Sequence, residues 1–485
     1  MNDDAAVSGP PPVDPTVLAI CRAVRQAGGV AYLVGGWVRD RALRHSRGES
    51  DPLPPGNYDV EVFGLPSDQL VPILERHGAV HLVGESFAVY KLVPRSTPGA
   101  GAPPDLEVSL PRRDLKVGRG HRGFQVQEDP ALPPREAARR RDFTINAMLF
   151  DPLTGETIDP WGGLDDLRSG LLRAVDHSTF VEDSLRVLRA VQFAARLGFE
   201  IDPQTADLCR GIDLTDLPAE RIRGEMEKLL LSPRPSIGLD WALRLGVVDQ
   251  LFPELKSLVG CRQDPDWHPE GDVWVHTLLA IDCAAREIEG LPVEKQLAVM
   301  LAVLCHDLGK PATTAEIDGR IRSLDHEAAG LEPTARFLDR LNIHTLHRYD
   351  LRGQVLALVK HHLTPSHFHK NRHEVGDGAF RRLAGRLEPE LLYRVSRADC
   401  LGRTGEFSTA AQEWFIERAR TLGVEERPPQ PILMGRHLLE MGLQPGPEIG
   451  RVTRAVYEMQ LDGRVTDLDG ALAAARRLLN PEAGD

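Results

Sequence analysis

The chain has 485 residues, enough for two or three domains with their own cores, and its 42% apolar and 27% charged residues are those of a globular protein. No apolar run approaches the ~20 residues of a membrane span, and a formal net charge of −13 argues against a protein that coats nucleic acid non-specifically. The six cysteines are scattered, without the close pairs of a zinc knuckle or disulfide frame, which suits a reducing cytoplasm.

Residues 1–14 are acidic and rich in Pro, Ala and Gly, lack the pattern of a signal peptide, and are expected to form a disordered lead-in. The spacing predicts a helix over 15–27, a short apolar strand over 31–34 and a second helix over 37–43. A loop rich in Pro, Gly and Ser over 47–56 leads to a strand over 58–63, with further strands expected over 80–83, 88–93 and 106–110. This alternation describes an α/β domain ending near residue 160. Amphipathic helices are expected over 180–197, 219–231 and 237–245, after which strand signals nearly vanish and the rest is expected to be all-α. Boundaries are expected where Pro, Gly and Asp cluster over 255–266 and at the Pro-rich linker 425–431. Beyond that linker, 435–450 reads as helix, tight turn, helix.

Chemistry-bearing residues concentrate in two places. Gly35 and Gly36 sit between a strand and a helix, where glycine lets backbone N–H groups approach a phosphate, and Arg39 lies one turn further on. Asn57, Asp59 and Glu61 alternate along the next strand and so share a face, a pattern that can hold divalent ions; Glu107 is a candidate third carboxylate. Basic residues outnumber acidic ones over 112–141. Taken alone, each feature has a plainer reading: a tight turn, an edge strand with a charged solvent face, a solvated helix end. The second constellation is His276, the pair His306-Asp307 that closes an apolar helix over 296–305, and Asp399, with His326, His361 and His362 between. Imidazoles and carboxylates in this mixture suit a Mn²⁺, Ni²⁺ or similar ion and the hydrolysis of phosphate esters.

The ordered motifs Gly35-Gly36-Trp37-Val38-Arg39-Asp40, the Asp59/Glu61 strand, Arg140 to Ala147, Gly162-Gly163-Leu164-Asp165-Asp166-Leu167 and Glu182-Asp183-Ser184-Leu185-Arg186 resemble the tRNA nucleotidyltransferase/poly(A) polymerase family, in particular its bacterial CCA-adding class. The resemblance implies a polymerase-β-like nucleotidyltransferase head over 15–160 and an all-α neck and body over 161–260, whose next helical motif falls at 221–228. It further implies Mg²⁺ as cofactor, CTP and ATP as substrates, a tRNA 3′ end as partner, and no obligate protein partner. Asp59, Glu61 and Glu107 would be catalytic, the first two holding metal. Gly35, Gly36, Arg39, Arg141, Asp142, Asn146, Asp183 and Arg186 would bind nucleotide. Asp142 and Arg141 would contact the ribose, and Asp183 and Arg186, three apart on one helical face, would read a base edge; that pair also fits a simple helix ion pair. The family's Asp-x-Asp pair falls on Asn57 and Asp59, so Glu61 is the residue expected to restore the second carboxylate. The histidine set resembles the HD phosphohydrolase superfamily. That likeness implies an all-α HD domain over 261–424 in which His276, His306, Asp307 and Asp399 bind a metal, and His326, His361 and His362 serve a second ion or a phosphate. A helical tail over 425–485 follows. The expected activity is CMP and AMP addition to tRNA ends joined to phosphatase or 2′,3′-cyclic phosphodiesterase activity. Alternatives are poly(A) synthesis, CC-only or A-only addition, and a phosphohydrolase with an inactive nucleotidyltransferase half.

Overall fold

The computed structural model describes residues 13–49, 57–83, 89–95, 104–116 and 124–480; the lead-in apart from its last two residues, and most of the loop 47–56, lie outside these. The chain divides into two compact units, Met1–Pro218 with Trp241–Val247, and Ala219–Asp240 with Val248–Asp485. No helix among the described residues is long and apolar enough to cross a membrane.

The first unit opens with α1 (Pro15–Gln26), whose N-cap Asp14 accepts from the Thr16 N–H at 2.7 Å, and which buries Val17, Ile20, Cys21 and Val24 at helical spacing. Then come β1 (Val30–Val34), α2 (Gly36–Ser46), β2 (Tyr58–Phe63), α3 (Ser67–Glu75), β3 (Gly78–Val83), β4 (Val89–Pro94) and β5 (Leu106–Ser109). The hairpin β6 (Arg112–Lys116) and β7 (Phe124–Glu128), α4 (Pro134–Arg139), β8 (Leu149–Phe150), β9 (Thr157–Ile158) and α5 (Gly163–Ser169) follow. α6 (His177–Phe180) and α7 (Leu185–Leu197) lead out of the sheet region. The seven-stranded sheet has the order β3-β4-β5-β2-β1-β8-β9. β2 is therefore a central strand, antiparallel to β1 and parallel to β5. Tyr58, Val60 and Val62 pack one of its faces into the core, and an edge strand with a solvated charged face is excluded.

Several elements differ from expectation. α3 forms despite Pro72 because Leu70, Ile73 and Leu74 are buried by it, so packing outweighs one lost backbone hydrogen bond. The helix expected over 180–197 is broken in two, with a turn at 181–184 between α6 and α7. Among the described residues the second unit is helical except for a hairpin, Thr314–Ile317 with Arg320–Ser323, turned by Asp318-Gly319 with both residues at positive φ. That dipeptide is the signature of a two-residue hairpin turn and was available in the sequence. Helices Gly435–Glu440 and Pro447–Leu461 flank a turn, and with Leu468–Leu479 they bury a cluster of their own around Leu438, Val452 and Val456.

α5 lies against the short helical turn at Thr144–Asn146 so closely that a Cβ on Gly163 would meet the Thr144 carbonyl oxygen at 2.3 Å. Gly163→Ala is expected to destabilise the first unit by about 1–3 kcal/mol, the cost of overpacking. Gly224→Ala, inside helix Ala219–Leu230 with open space around the added methyl, should instead stabilise by about 0.4–1 kcal/mol. Calorimetric unfolding midpoints shifting in opposite directions check both.

Candidate active sites

In the first unit the site is built where β1 passes into α2. Gly35 is the N-cap of α2 at φ 70°, a conformation that favours glycine. A Cβ there would come within 3.1 Å of Asp59 Oδ2 and 3.5 Å of Arg141 Nη1. Only a residue without a side chain leaves the gap between these opposite charges open, directly at the free N–H groups of a helix start. The β2–β5 register sets Asp59 beside Glu107, and both side chains are exposed on the same sheet face. Partial desolvation and the neighbouring Glu107 lift the Asp59 carboxyl above its usual range, with Arg141 pulling the other way. Two carboxylates side by side on neighbouring strands and facing outward fit a divalent cation.

Glu61 shares that face but has a different environment from the one expected. It is 1% exposed, and its two oxygens lie 2.9 Å from Arg140 Nη2 and 3.5 Å from Arg141 Nη2. Against the cost of burial, Arg141 and Arg140 hold its carboxyl below the usual range. The geometry thus makes Glu61 an arginine clamp, and Glu107 the second open carboxylate. Asn57 is exposed just before the strand.

The residues expected to bind nucleotide divide in the same way. Asp142 is buried, and its oxygens accept from the Phe143 N–H at 2.8 Å, Asn146 Nδ2 at 3.0 Å and Arg189 Nε at 2.6 Å. Asn146 Oδ1 in turn accepts from Arg39 Nη1 at 2.9 Å, and Arg39 is 3% exposed and also bonded to Asp40. Arg39, Asn146, Asp142 and Arg189 form one buried polar chain, which leaves Arg141 as the half-buried cation beside the opening. Asp183 stands in the turn before α7 rather than on its face, and its Oδ1 accepts from the Leu185 N–H at 3.2 Å. Arg186, in the first turn, donates to the main-chain carbonyls of Thr179 and Arg140. Arg140 and Arg189, whose roles depend on the buried acids Glu61 and Asp142 that they meet, and Asp40, which pairs with the buried Arg39, were not singled out in the sequence.

The second unit collects its histidines from separate helices. His276 comes from Val273–Glu287, His306 and Asp307 follow Val293–Cys305, His326 opens His326–Ala329, His362 follows Leu351–His361, and Asp399 lies in Pro389–Leu401. Three of these imidazoles are oriented alike: Nδ1 of His306, His326 and His362 lies 2.7, 2.8 and 2.8 Å from the carbonyl oxygens of Val303, Ser323 and Val359. An imidazole N–H must supply each bond, so the Nε2 atoms carry lone pairs. In His276 the Nδ1 partner is the Glu270 carboxylate at 2.8 Å. The Nε2 atoms of His326 and His362 face each other at 3.3 Å, and His306 Nε2 is buried without a hydrogen bond. Asp399 Oδ1 lies 3.1 Å from His276 Nε2, and Asp307 lies between His306 Nε2 at 3.2 Å and His326 Nε2 at 3.4 Å. Ligand atoms of His276, His306 and Asp399, and of Asp307, His326 and His362, converge within 4.8 Å in each set. Lone pairs aimed at one another in a buried pocket are what a divalent ion resolves.

Burial, with His306 and His326 nearby, pulls His362 down to about 3, so its imidazole is neutral, the form a metal ligand needs. Against burial, His306 and Lys310 hold Asp307 well below the carboxylate range, and Arg403 and His276 do the same for Asp399. His361 is not brought in; its Nδ1 meets Thr364 Oγ1 at 3.3 Å, because two consecutive residues at a helix end point about 100° apart. Glu270, six residues before His276 in Trp267-His268-Pro269-Glu270, was missed, though an acid so near a candidate ligand is a usable signal.

An open pair of carboxylates on two adjacent central strands, under a glycine-led helix start walled by arginine, defines a nucleotidyltransferase head joined to a largely helical body. Residues 31–173 match the family described as "Poly A polymerase head domain", and 198–258 that described as "Probable RNA and SrmB- binding site of polymerase A". The multifunctional CCA protein of Xanthomonas campestris pv. campestris (strain B100) is 35% identical over 430 residues, covering 86% of this chain and 95% of the relative. That of Pasteurella multocida is 36% identical over 387 residues, covering 77% and 84%. The Bacillus stearothermophilus CCA-adding enzyme in complex with CTP shares the fold, with a TM-score of 0.63 at 21% identity over 97% of this chain and 99% of that one. The Thermotoga maritima enzyme complexed with tRNA shares it at 0.57 and 20%, over 96% of each chain. The chain belongs to the CCA-adding enzyme family of multifunctional CCA proteins.

Calorimetric titration of Mn²⁺ into an Asp59→Ala background isolates the histidine site. His276→Ala and His362→Ala are expected to weaken binding strongly, and Glu270→Gln, which removes only the acid behind a ligand, by about 10–100-fold. His361→Ala should bind as the background does. Unchanged affinity in His276→Ala would overturn the ligand set.

Proposed function

We propose that this chain is a template-independent tRNA nucleotidyltransferase that adds CMP and AMP from CTP and ATP to tRNA 3′ ends in the cytoplasm. The observation that carries the reading is the register that sets Asp59 of β2 beside Glu107 of β5, below the opening that Gly35 leaves at the start of α2. Relatives named as multifunctional CCA proteins, and neighbours solved with CTP, ATP and tRNA, support the substrates. Mg²⁺ held by Asp59 and Glu107 would activate the primer hydroxyl and neutralise the leaving pyrophosphate. The N–H groups at the start of α2 and the Arg141 guanidinium bind and orient the triphosphate. Glu61 fixes Arg140 and Arg141 in place, so these cations need no reorganisation when charge develops. The buried chain through Arg39, Asn146, Asp142 and Arg189 holds the segment that carries Arg141, which makes these positioning residues. Asp183 and Arg186 stay candidates for reading the incoming base from the start of α7.

The second unit acts in the same reading as a metal-dependent HD-type phosphohydrolase over about 261–424. The convergent Nε2 lone pairs support it, and a likeness covering 86% of the chain is more than the first unit contains. Mn²⁺, Ni²⁺ or a similar ion would supply an activated water for the cleaved phosphate ester. Lys310, 2.7 Å from Asp307, and Arg403, 3.6 Å from Asp399, present cations to the phosphate, and the acids keep both in place. Removing damaged phosphate ends before resynthesis is the task that unites the units. Asn57 favours one alternative, a phosphohydrolase whose nucleotidyltransferase half has lost activity.

Transcripts of tRNA lacking none to all three of the terminal nucleotides, incubated with labelled CTP or ATP and Mg²⁺, test the reading. Stepwise completion to CCA is expected, abolished in Asp59→Ala and unaffected in His306→Ala. Glu107→Ala should raise the Mg²⁺ concentration needed for half-maximal rate. Glu61→Gln should slow addition by roughly 10–100-fold through misplaced arginines without changing that concentration. No incorporation by the wild type leaves the phosphohydrolase alternative, and A-only or poly(A) products correct the specificity.

A further inference from the structure

The histidine pocket carries a feature that metal binding and hydrolysis do not use. A cavity of about 480 Å³ opens above Asp307, His326 and His362, within the range of ligand sites. Its lining includes Trp267, 54% exposed, among charged side chains and the aliphatic Ile321, Leu324 and Leu363. A large aromatic left open beside a ring of charges is the informative kind of exposure, since burial of an indole is strongly favourable. The ring is held firmly. Phe407 stacks on it, with centroids 6.3 Å apart and planes inclined by 27°. The Arg403 guanidinium lies 5.4 Å from the Phe407 ring centroid, and Arg403 Nη2 is 3.6 Å from Asp399 Oδ1. A continuous series thus ties the aromatic pair to one of the carboxylates of the metal cluster. At the other side of the cavity the hairpin strand Arg320–Ser323 offers Arg322, exposed and without an ion pair among the described residues, and beside it Leu324, 58% exposed. Arg320 by contrast is neutralised by Asp264 and Asp266 at 3.0 Å each.

A flat π-face, a spare cation and a phosphate-directed metal cluster around one cavity match a nucleotide better than a small phosphate ester. Base–aromatic stacking tolerates any base, and a purine offers the larger face. We propose that Trp267, backed by Phe407, is the base-stacking subsite of the histidine pocket, and that it makes nucleotide phosphate ends, purine ones above pyrimidine, the preferred substrates. This rests on the phosphohydrolase reading given above. Trp267 acts on specificity and touches neither the metal ligands nor the scissile phosphate.

The test compares adenosine 2′,3′-cyclic phosphate, a short RNA ending in the same group, and glycerol 1,2-cyclic phosphate, which has no base, with the full-length protein and Mn²⁺ or Ni²⁺. Trp267→Ala is expected to lower kcat/KM for the two base-bearing substrates by roughly 10-fold or more and to leave the glycerol compound unchanged. Trp267→Phe should restore much of the loss. A loss with the RNA alone would assign the subsite to RNA ends, and a loss with both assigns it to the nucleotide itself. Equal effects on all three substrates, or none, would overturn the proposal. If the wild type hydrolyses nothing, the phosphohydrolase reading fails by itself. Calorimetric binding of AMP against ribose 5-phosphate then decides the subsite: tighter AMP binding lost in Trp267→Ala upholds it, and equal binding removes it.

Discussion

The parallel pairing of β2 with β5 is the constraint on which the first unit depends. It fixes Asp59 opposite Glu107, and since strand side chains alternate, a slip of β2 by one residue would turn Asp59 into the apolar core and leave Glu107 behind. The slip is prevented by Tyr58, Val60 and Val62, which fill that core from the other face of the same strand. Packing therefore specifies the position of the chemistry. The like charges repel in the absence of a cation, and the sheet can hold them together because burial on the opposite face is worth far more than the repulsion costs. β1, on the other side of β2, delivers Gly35 to the same place through the pairing of Val34 with Asp59.

A similar division of labour operates in the second unit. Each clustered imidazole is aimed by a bond at its other nitrogen, to a main-chain carbonyl for His306, His326 and His362 and to Glu270 for His276. For the first three, the acceptor is the residue three before, so the helical or turning backbone that presents the histidine also orients it. His276 lies inside a helix, where its own carbonyls are used, and an acid from the preceding loop does the work instead. Helix geometry thus accounts both for the arrangement and for the one exception.

Much of this was legible in the sequence. β2 and its alternating acids, the glycine pair before α2, and the histidines and acids of the second unit were all marked by residue type and period. What was not legible were outcomes of partner choice. Glu61 has the same sequence credentials as Asp59, and only the approach of Arg140 and Arg141 from a distant segment separates the two. His361 and His362 are adjacent and chemically identical, and the helix phase relative to the pocket chooses between them. The break between α6 and α7 escaped because Val181, Glu182 and Ser184 continue an acceptable helical pattern; the capping of α6 by Asp176, which accepts from the N–H groups of Ser178 and Thr179 at 3.0 Å, begins a separate short helix. α3 was hidden by Pro72, whose local cost was outweighed by buried leucines and isoleucine.

Asn57 changes the charge at this edge of the sheet. Replacing an aspartate there by an amide removes one negative charge from the cation-binding edge, and Glu61 adds one two residues beyond Asp59. Yet that added charge does not reach the cation site, because two guanidinium groups meet it and burial seals it in. The net effect is to gather positive charge, not negative, behind Asp59: Arg141 serves Glu61 on one side and the Asp59 gap on the other. With one carboxylate fewer in front and an anchored arginine close by, the proposed site would leave more of the charge neutralisation of a triphosphate to protein cations, and Glu107 would be the acid it can least spare.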